Sequence, residues 1–192
     1  MQIRLAQMHE VPALQQLIAR SARQLGAGFY TPRQIELALL GTFSVDEQLI
    51  ADGTYFVITE EARYAGCGGW SQRRKLHGGD QPAAGAPADG LPAYGLNDLL
   101  DPAFDAARIR AFFIDPNYAR RGLGKQLLAA CETAARAAGF TRCEMGATLS
   151  GVPLYEACGY RVVKELLVPL PENEFLPIVQ MEKTFSADKN SS

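Results

Sequence analysis

The opening residues, QIRLAQ, alternate polar and apolar positions and predict a strand. PALQQLIARSARQL then sets Leu14, Leu17, Ile18 and Leu25 on one helical face, with Pro12 at an early helical position. A second helix is predicted at TPRQIELALL, where Thr31 stands as N-cap, Pro32 at the first helical position and Gln34 three residues after the cap. TYFVITEE and YAGCGGWS are β-rich runs joined by the charged turn EEAR, the pattern of an antiparallel hairpin. RIRAFFI predicts a further strand, ended by Asp115 and Pro116. The helix after it places Leu127, Leu128, Cys131, Ala134, Ala135 and Ala138 on one side, keeps Lys125, Glu132 and Arg136 polar, and stops at Gly139. TRCEMGAT reads as a strand, VPLYEAC as a short helix stopped by Gly159, and YRVVKELLV and PIVQMEKTF as closing strands.

Periodicity fails from Gln72 to about Ala106, a span holding Pro82, Pro87, Pro92 and Pro102 together with five glycines. A structureless loop of that length is uncommon inside a compact domain, so a partly ordered insertion is expected at about 72–106. SADKNSS, residues 186–192, is a polar tail. The remaining order is strand, two helices, hairpin, strand, long helix, strand, short helix and two strands. It predicts an α+β fold over residues 1–185, a single domain in which a mixed sheet carries helices on its faces.

Composition narrows the partners. The 192 residues fit one domain, 47% hydrophobic and 21% charged, with a formal charge of −2 that argues against a nucleic-acid surface. Any cationic site is therefore local. The four cysteines are widely spaced, with no CxxC pair, as in a reducing compartment; the two histidines lack ligand-spaced companions, so no metal site is expected. No window approaches eighteen apolar residues and the N-terminus has no long apolar run, so no membrane association is expected and the cytoplasm is the default location.

One stretch concentrates charge where a helix disfavours it. NYARRGLGKQLLAACETAARAAGF, residues 117–140, puts Arg120, Arg121 and Lys125 beside two glycines at a helix start, where the macrodipole is already positive. A strand feeding a Gly-rich turn and then a helix is an anion cradle, because unpaired N–H groups converge there. A Walker P-loop would need glycine at 119 and Ser or Thr at 126, where Ala119 and Gln126 stand; a dinucleotide fingerprint would need its third glycine at 127, where Leu127 stands.

ARRGLGK, residues 119–125, after a strand ending in Asp-Pro, resembles the acetyl-CoA pyrophosphate loop of the GNAT superfamily of N-acetyltransferases, whose usual form is Gln/Arg-x-x-Gly-x-Gly/Ala; Ala119 departs at the first position. RIRAFFIDP resembles the superfamily's fourth strand, and VPLYEACGY its Leu-Tyr-Glu-x-x-Gly-Phe/Tyr segment. The resemblance spans roughly residues 2–168 by element order and about 110–160 by motif. It implies a mixed, mostly antiparallel sheet of about seven strands with helices on both faces. That sheet would be splayed between the strand ending at Ile114 and the strand at 141–146.

The same resemblance implies site residues. Amides of Arg120, Arg121, Gly122, Leu123, Gly124 and Lys125 would hold the pyrophosphate of acetyl-CoA, and the backbone near Phe112, Phe113 and Ile114 would pair with the pantetheine arm. Tyr155 would protonate the departing coenzyme A sulfur, a phenol of pKa ~10 being protonated at neutral pH. Glu144 lies near a position where relatives carry a base, one residue short of alignment with Tyr155. Arg108 replaces the glutamate that many members carry before the fourth strand's core; it is either a contact for an anionic group on the acceptor or a solvated strand residue. Trp70 is either part of the acceptor pocket or core packing, and Thr148 or Leu149 falls where relatives often place an asparagine. RRKLHGGD, residues 73–80, is either a lid, with His77 and Asp80 as acceptor contacts, or a solvated turn.

The activity so implied is acetyl transfer from acetyl-CoA to a primary amine by direct attack in a ternary complex. The acceptor is a small molecule or peptide amine. The alternative is a noncatalytic acyl-CoA-binding or regulatory module on the same fold, and a nucleotide-binding enzyme is a third reading. Edges of the C-terminal strands offer a route to a homodimer.

Overall fold

The computed structural model describes residues 1–61, 63–74 and 99–186. Its strands are β1 (Gln2–Leu5), β2 (Tyr55–Glu60), β3 (Arg63–Ser71), β4 (Ala107–Ile114), β5 (Arg142–Thr148), β6 (Arg161–Pro169) and β7 (Phe175–Thr184). The helices are α1 (Val11–Leu25), α2 (Pro32–Ala38), α3 (Glu47–Ala51), α4 (Leu123–Ala137) and α5 (Val152–Glu156). The strands form one seven-stranded sheet in the order β1-β2-β3-β4-β5-β7-β6. Every neighbouring pair is antiparallel except β4 and β5.

Local chemistry explains the helices that the sequence announces. Thr31 and Gln34 form the expected capping box at the start of α2, each side chain bonding the other's backbone N–H. Gly139 follows α4 with a φ of +93°, the left-handed conformation that closes a helix. The helix α3 was not expected: it has only five residues, and its N-cap is Asp46, whose carboxylate accepts from the Leu49 N–H.

The two faces of the sheet are covered separately. On one, Leu14, Leu17 and Ile18 of α1, Ile35 of α2 and Leu49 of α3 pack with Tyr55 and Val57 of β2 and Leu176 and Ile178 of β7. On the other, Leu128, Cys131 and Ala135 of α4 and Tyr155 of α5 pack with Ile109, Cys143, Met145 and Met181. The ends of the expected insertion are tied together, since the Leu100 N–H donates to the Gln72 carbonyl at 2.7 Å and Leu100 is buried. His77 and Asp80 lie outside the described residues. Of the two C-terminal strands only β6 is an edge; β7 sits inside the sheet, paired with β5 and β6.

One irregularity positions everything that follows. The parallel strands β4 and β5 pair only at Ala107↔Cys143, Arg108↔Glu144 and Ile109↔Met145, yet β4 runs on to Ile114 and β5 to Thr148. Beyond Ile109 and Met145 the sheet opens between them. At the same place β4 bulges: Gly69 pairs with Arg110 and Cys67 with Phe113, leaving Ala111 and Phe112 opposite the single residue Gly68. Ala111 carries a φ of +51°, a costly conformation for a residue with a Cβ. Gly68 makes room for the bulge, because a Cβ there would lie 2.4 Å from the Phe112 ring.

Candidate active site

The opening between β4 and β5 is a cleft with a free interior of about 50 Å³, lined by Arg110, Phe112 and Phe113 from β4, Gly146 and Thr148 from β5, and Tyr155. Consecutive strand positions put the two phenylalanines on opposite faces of the sheet. Phe113 packs edge-on against Phe43 at 5.7 Å, on the α1 side, and Phe112 against Tyr155 at 6.1 Å, on the α4 side. Tyr155 is held from its other flank by Tyr160 at 6.0 Å. The helix α5 is aimed by the turn before it, where the Gly151 N–H donates to the Thr148 carbonyl at 2.8 Å and Pro153 sits in the first turn. Burial pushes the Tyr155 phenol well above its ordinary pKa, with nearby cysteine thiols a smaller cause, so it is a protonated acid across the neutral range.

The loop at the end of β4 has the backbone shape of an anion cradle. Asp115 anchors it: its carboxylate accepts from the Asn117 N–H at 3.0 Å, capping the short 3-10 turn Pro116–Tyr118, and binds Arg20 of α1 at 2.8 Å. Arg120 (φ +63°) and Gly122 (φ +78°) are both left-handed and alternate with ordinary conformations, the arrangement that turns successive N–H groups into one concavity. Gly122 is the N-cap of the fifteen-residue α4, no side chain caps that end, and its first turn holds no acidic residue. The first-turn N–H groups therefore have no side-chain cap as an acceptor.

The expected cofactor residues divide by role. The side chain of Leu123 is buried in the core with Ile58, Ala65 and Leu127, which leaves only its amide for the cradle. Gly124 is small for packing as well, since a Cβ there would lie 2.8 Å from Leu154 of α5. Arg120 and Lys125 are exposed at the loop. Arg121 lies over the Tyr118 ring at 5.3 Å.

Other expected residues are placed away from the cleft lining. Glu144 and Arg108 face each other across the β4–β5 pairing and form an ion pair, and Gln180 donates to Glu144 at 3.1 Å. Trp70 is buried in the core and packs edge-on against Phe140 at 6.0 Å. Sequence reasoning missed a buried ion pair between Arg110 and Asp46 at the cleft's α1 side. It also missed Tyr30, whose hydroxyl donates to the Pro177 carbonyl at 3.0 Å and accepts from the Leu149 N–H at 2.8 Å, tying down the free end of β5. Burial pushes the Tyr30 phenol up to about 12. The one sequence signal for this group is Asp46 before a short apolar run, the ordinary mark of an N-cap. Among the described residues no cluster of His, Cys, Asp or Glu is arranged to hold a metal ion, and no helix is long and apolar enough to cross a membrane.

Comparison with known proteins bears on the fold and on the segment that carries the cleft. Residues 101–185, which contain the cleft strands, the loop and Tyr155, match the family model described as acetyltransferase (GNAT) domain. No curated protein matches the chain. Among solved structures, a GCN5-related N-acetyltransferase from Rhodopseudomonas palustris superposes with a TM-score of 0.69 at 19% identity, over 96% of this chain and 95% of that one. YncA from Salmonella typhimurium, solved with its cofactor acetyl-CoA, superposes at 0.61 and 16% identity over 100% and 98% of the two chains. PaiA N-acetyltransferase from Thermoplasma acidophilum, in complex with coenzyme A, superposes at 0.61 and 13% identity over 96% and 98%. The family model thus matches the segment that carries the cleft, and the whole chain shares the fold of these N-acetyltransferases.

Proposed function

We propose that the protein is an acetyl-CoA-dependent N-acetyltransferase acting on a primary amine. The observation that carries this reading is the alignment of three features along one path: the uncapped N-terminus of α4, the opened edge of β4 at Phe112 and Phe113, and the Tyr155 ring beside Phe112. Acetyl-CoA bound along that path supplies the activated acyl group. The amides from Arg120 to Lys125 hold its diphosphate, and the β4 backbone past the bulge, having no partner on β5, pairs with the pantetheine arm.

The reaction forms a C–N bond and breaks a C–S bond. The neutral amine attacks the acyl carbon, Tyr155 gives its proton to the departing sulfur, and the proton lost by the amine restores the balance through solvent. Glu144 is the carboxylate of β5 that stands just before the strands part. Arg108 and Gln180 engage its oxygens, and accepting a proton would require it to leave those partners, so in this reading it fixes the base of the cleft. The free thiols of Cys67, Cys131, Cys143 and Cys158 support a cytoplasmic location.

The deciding experiment is release of free thiol from acetyl-CoA in the presence of a panel of small amines and peptide N-termini. Acceptor-dependent release supports the enzyme. Tight coenzyme A binding without release from any acceptor supports the noncatalytic module instead.

A further inference from the structure

A second cavity lies beside the coenzyme loop, on the α1 side of the sheet. It is a basin of about 660 Å³ walled by α1, the β2–β3 hairpin and the 3-10 turn with the loop after it, and it contains Arg20, Arg63 and Arg121 with Glu60 and Asp115. Three guanidiniums face two carboxylates, but the carboxylates differ in what they offer. The Asp115 side chain is only 4% exposed and is occupied by Arg20 and the Asn117 N–H. Glu60 is a third exposed and approaches Arg121 only at 3.9 Å, a distance at which an exposed pair contributes little. Arg63 stands exposed on the hairpin and Arg121 is half exposed on the loop, so two cations face the open volume from different walls.

We propose that this basin is a second anion site, taking a small organic molecule with two or more carboxylate or phosphate groups, and that it communicates with the coenzyme loop through Arg121. The volume suits a small organic ligand and exceeds what a single inorganic anion would fill. Arginines on separate walls match a ligand whose anionic groups are several ångströms apart, since each guanidinium binds one group with two parallel donors. Tyr118 and Tyr64 supply flat walls between them, with the Tyr64 hydroxyl already committed to Glu10 at 2.7 Å. The coupling follows from shared residues. Asp115, Asn117 and Tyr118 line the basin and lead directly into the cradle, and Arg121 belongs to both. A ligand that holds the Arg121 side chain over the basin constrains the backbone whose amides form the cradle, and by linkage the coenzyme weakens that ligand by the same factor.

The coupling rests on the acetyl-CoA reading, whereas the basin itself does not. Calorimetry on the full chain, with citrate as the probe and coenzyme A as the second ligand, separates the two. Citrate is expected to bind the free protein. Arg63→Gln is expected to weaken it about tenfold while leaving coenzyme A within twofold, and Arg63→Lys, which keeps the charge and loses the paired donors, to recover part of that loss, with unchanged thermal melting for both variants. Under saturating coenzyme A, citrate should still bind, weakened about three- to tenfold and by the factor with which it weakens the coenzyme. Absence of citrate binding, indifference to Arg63→Gln, complete exclusion by coenzyme A or independence of the two ligands would each overturn the proposal. A protein that binds citrate in this Arg63-dependent way but never coenzyme A keeps the basin, loses the coupling and overturns the acetyltransferase reading.

Discussion

The hydroxyl of Tyr55 on β2 donates a 3.0 Å hydrogen bond to the carbonyl of Ala111 at the bulge of β4. That carbonyl is displaced from the ladder because Ala111 and Phe112 together oppose Gly68, and Ala111 is held in a left-handed conformation. The bond offsets the bulge's cost from a tyrosine that is itself fully buried. Tyr55→Phe keeps the ring and removes only the donor, so it should cost about 1 to 2 kcal/mol in denaturant unfolding. It should also raise the KM for acetyl-CoA several-fold with a smaller change in kcat, because the bulge aims the β4 backbone and not the acid. Equal stability of the two proteins would show that the bulge holds itself.

Tyr155→Phe separates chemistry from binding. The ring packing against Phe112 and Tyr160 is preserved, so melting temperature and coenzyme A affinity should remain close to those of the parent. Turnover should fall about a hundredfold, the usual scale for a positioned acid. Burial raises the phenol above its ordinary value of ~10, so its ionisation should impose no loss of turnover below about pH 10. A rate unchanged by the substitution would remove this tyrosine from the mechanism.

The sequence made some of this legible and hid the rest for identifiable reasons. Caps and periodicity are local, so α1, α2, α4 and α5 and the strand runs could be read from Pro12, Thr31, Gly139 and the alternation of their neighbours. The loop was legible because its glycines and cations are contiguous. Arg108 and Glu144 could be judged only one at a time, since their pairing depends on the parallel register of β4 and β5, which no local pattern encodes. Arg110 and Asp46 are 64 residues apart, and Asp46 caps a helix too short to show a period. The bulge had no marker, because its strained residue is an alanine where a glycine would have drawn notice.

Away from the cleft, acid stability should depend on Glu10. This buried carboxylate accepts from both terminal nitrogens of Arg4, from the Gln7 N–H at 2.7 Å and from the Tyr64 hydroxyl at 2.7 Å, which joins β1, the turn before α1 and β3. The Arg4 guanidinium holds its pKa down at about 2, against 4.5 when unperturbed. A depressed carboxylate contributes stability above its unfolded pKa and loses it as pH falls toward the folded value, so the contribution is complete at pH 7 and disappears between about 4.5 and 2. Because Arg4 is partly exposed, about 1 to 2 kcal/mol is a reasonable scale after screening. Glu10→Gln should unfold earlier in urea at pH 7, and its curve should converge on the parent's as the pH approaches 2. A constant difference at every pH would assign the effect to packing.

The cradle makes a sharper demand on Gly122. Its φ is +78° and a Cβ would meet nothing within 4 Å, so the requirement is conformational and not steric. Gly122→Ala should therefore cost about 1 to 2 kcal/mol, the penalty for an L-residue in the left-handed region, and Gly122→Asn appreciably less, because asparagine tolerates that region. If the first-turn amides of α4 bind the diphosphate, any relaxation of the loop in Gly122→Ala turns those donors away from one another. Coenzyme A affinity should then fall tenfold or more in the alanine variant and recover in the asparagine variant, in step with stability. Calorimetry of both proteins at one temperature checks this, and an affinity that ignores the order alanine, asparagine, glycine would detach the coenzyme from this turn.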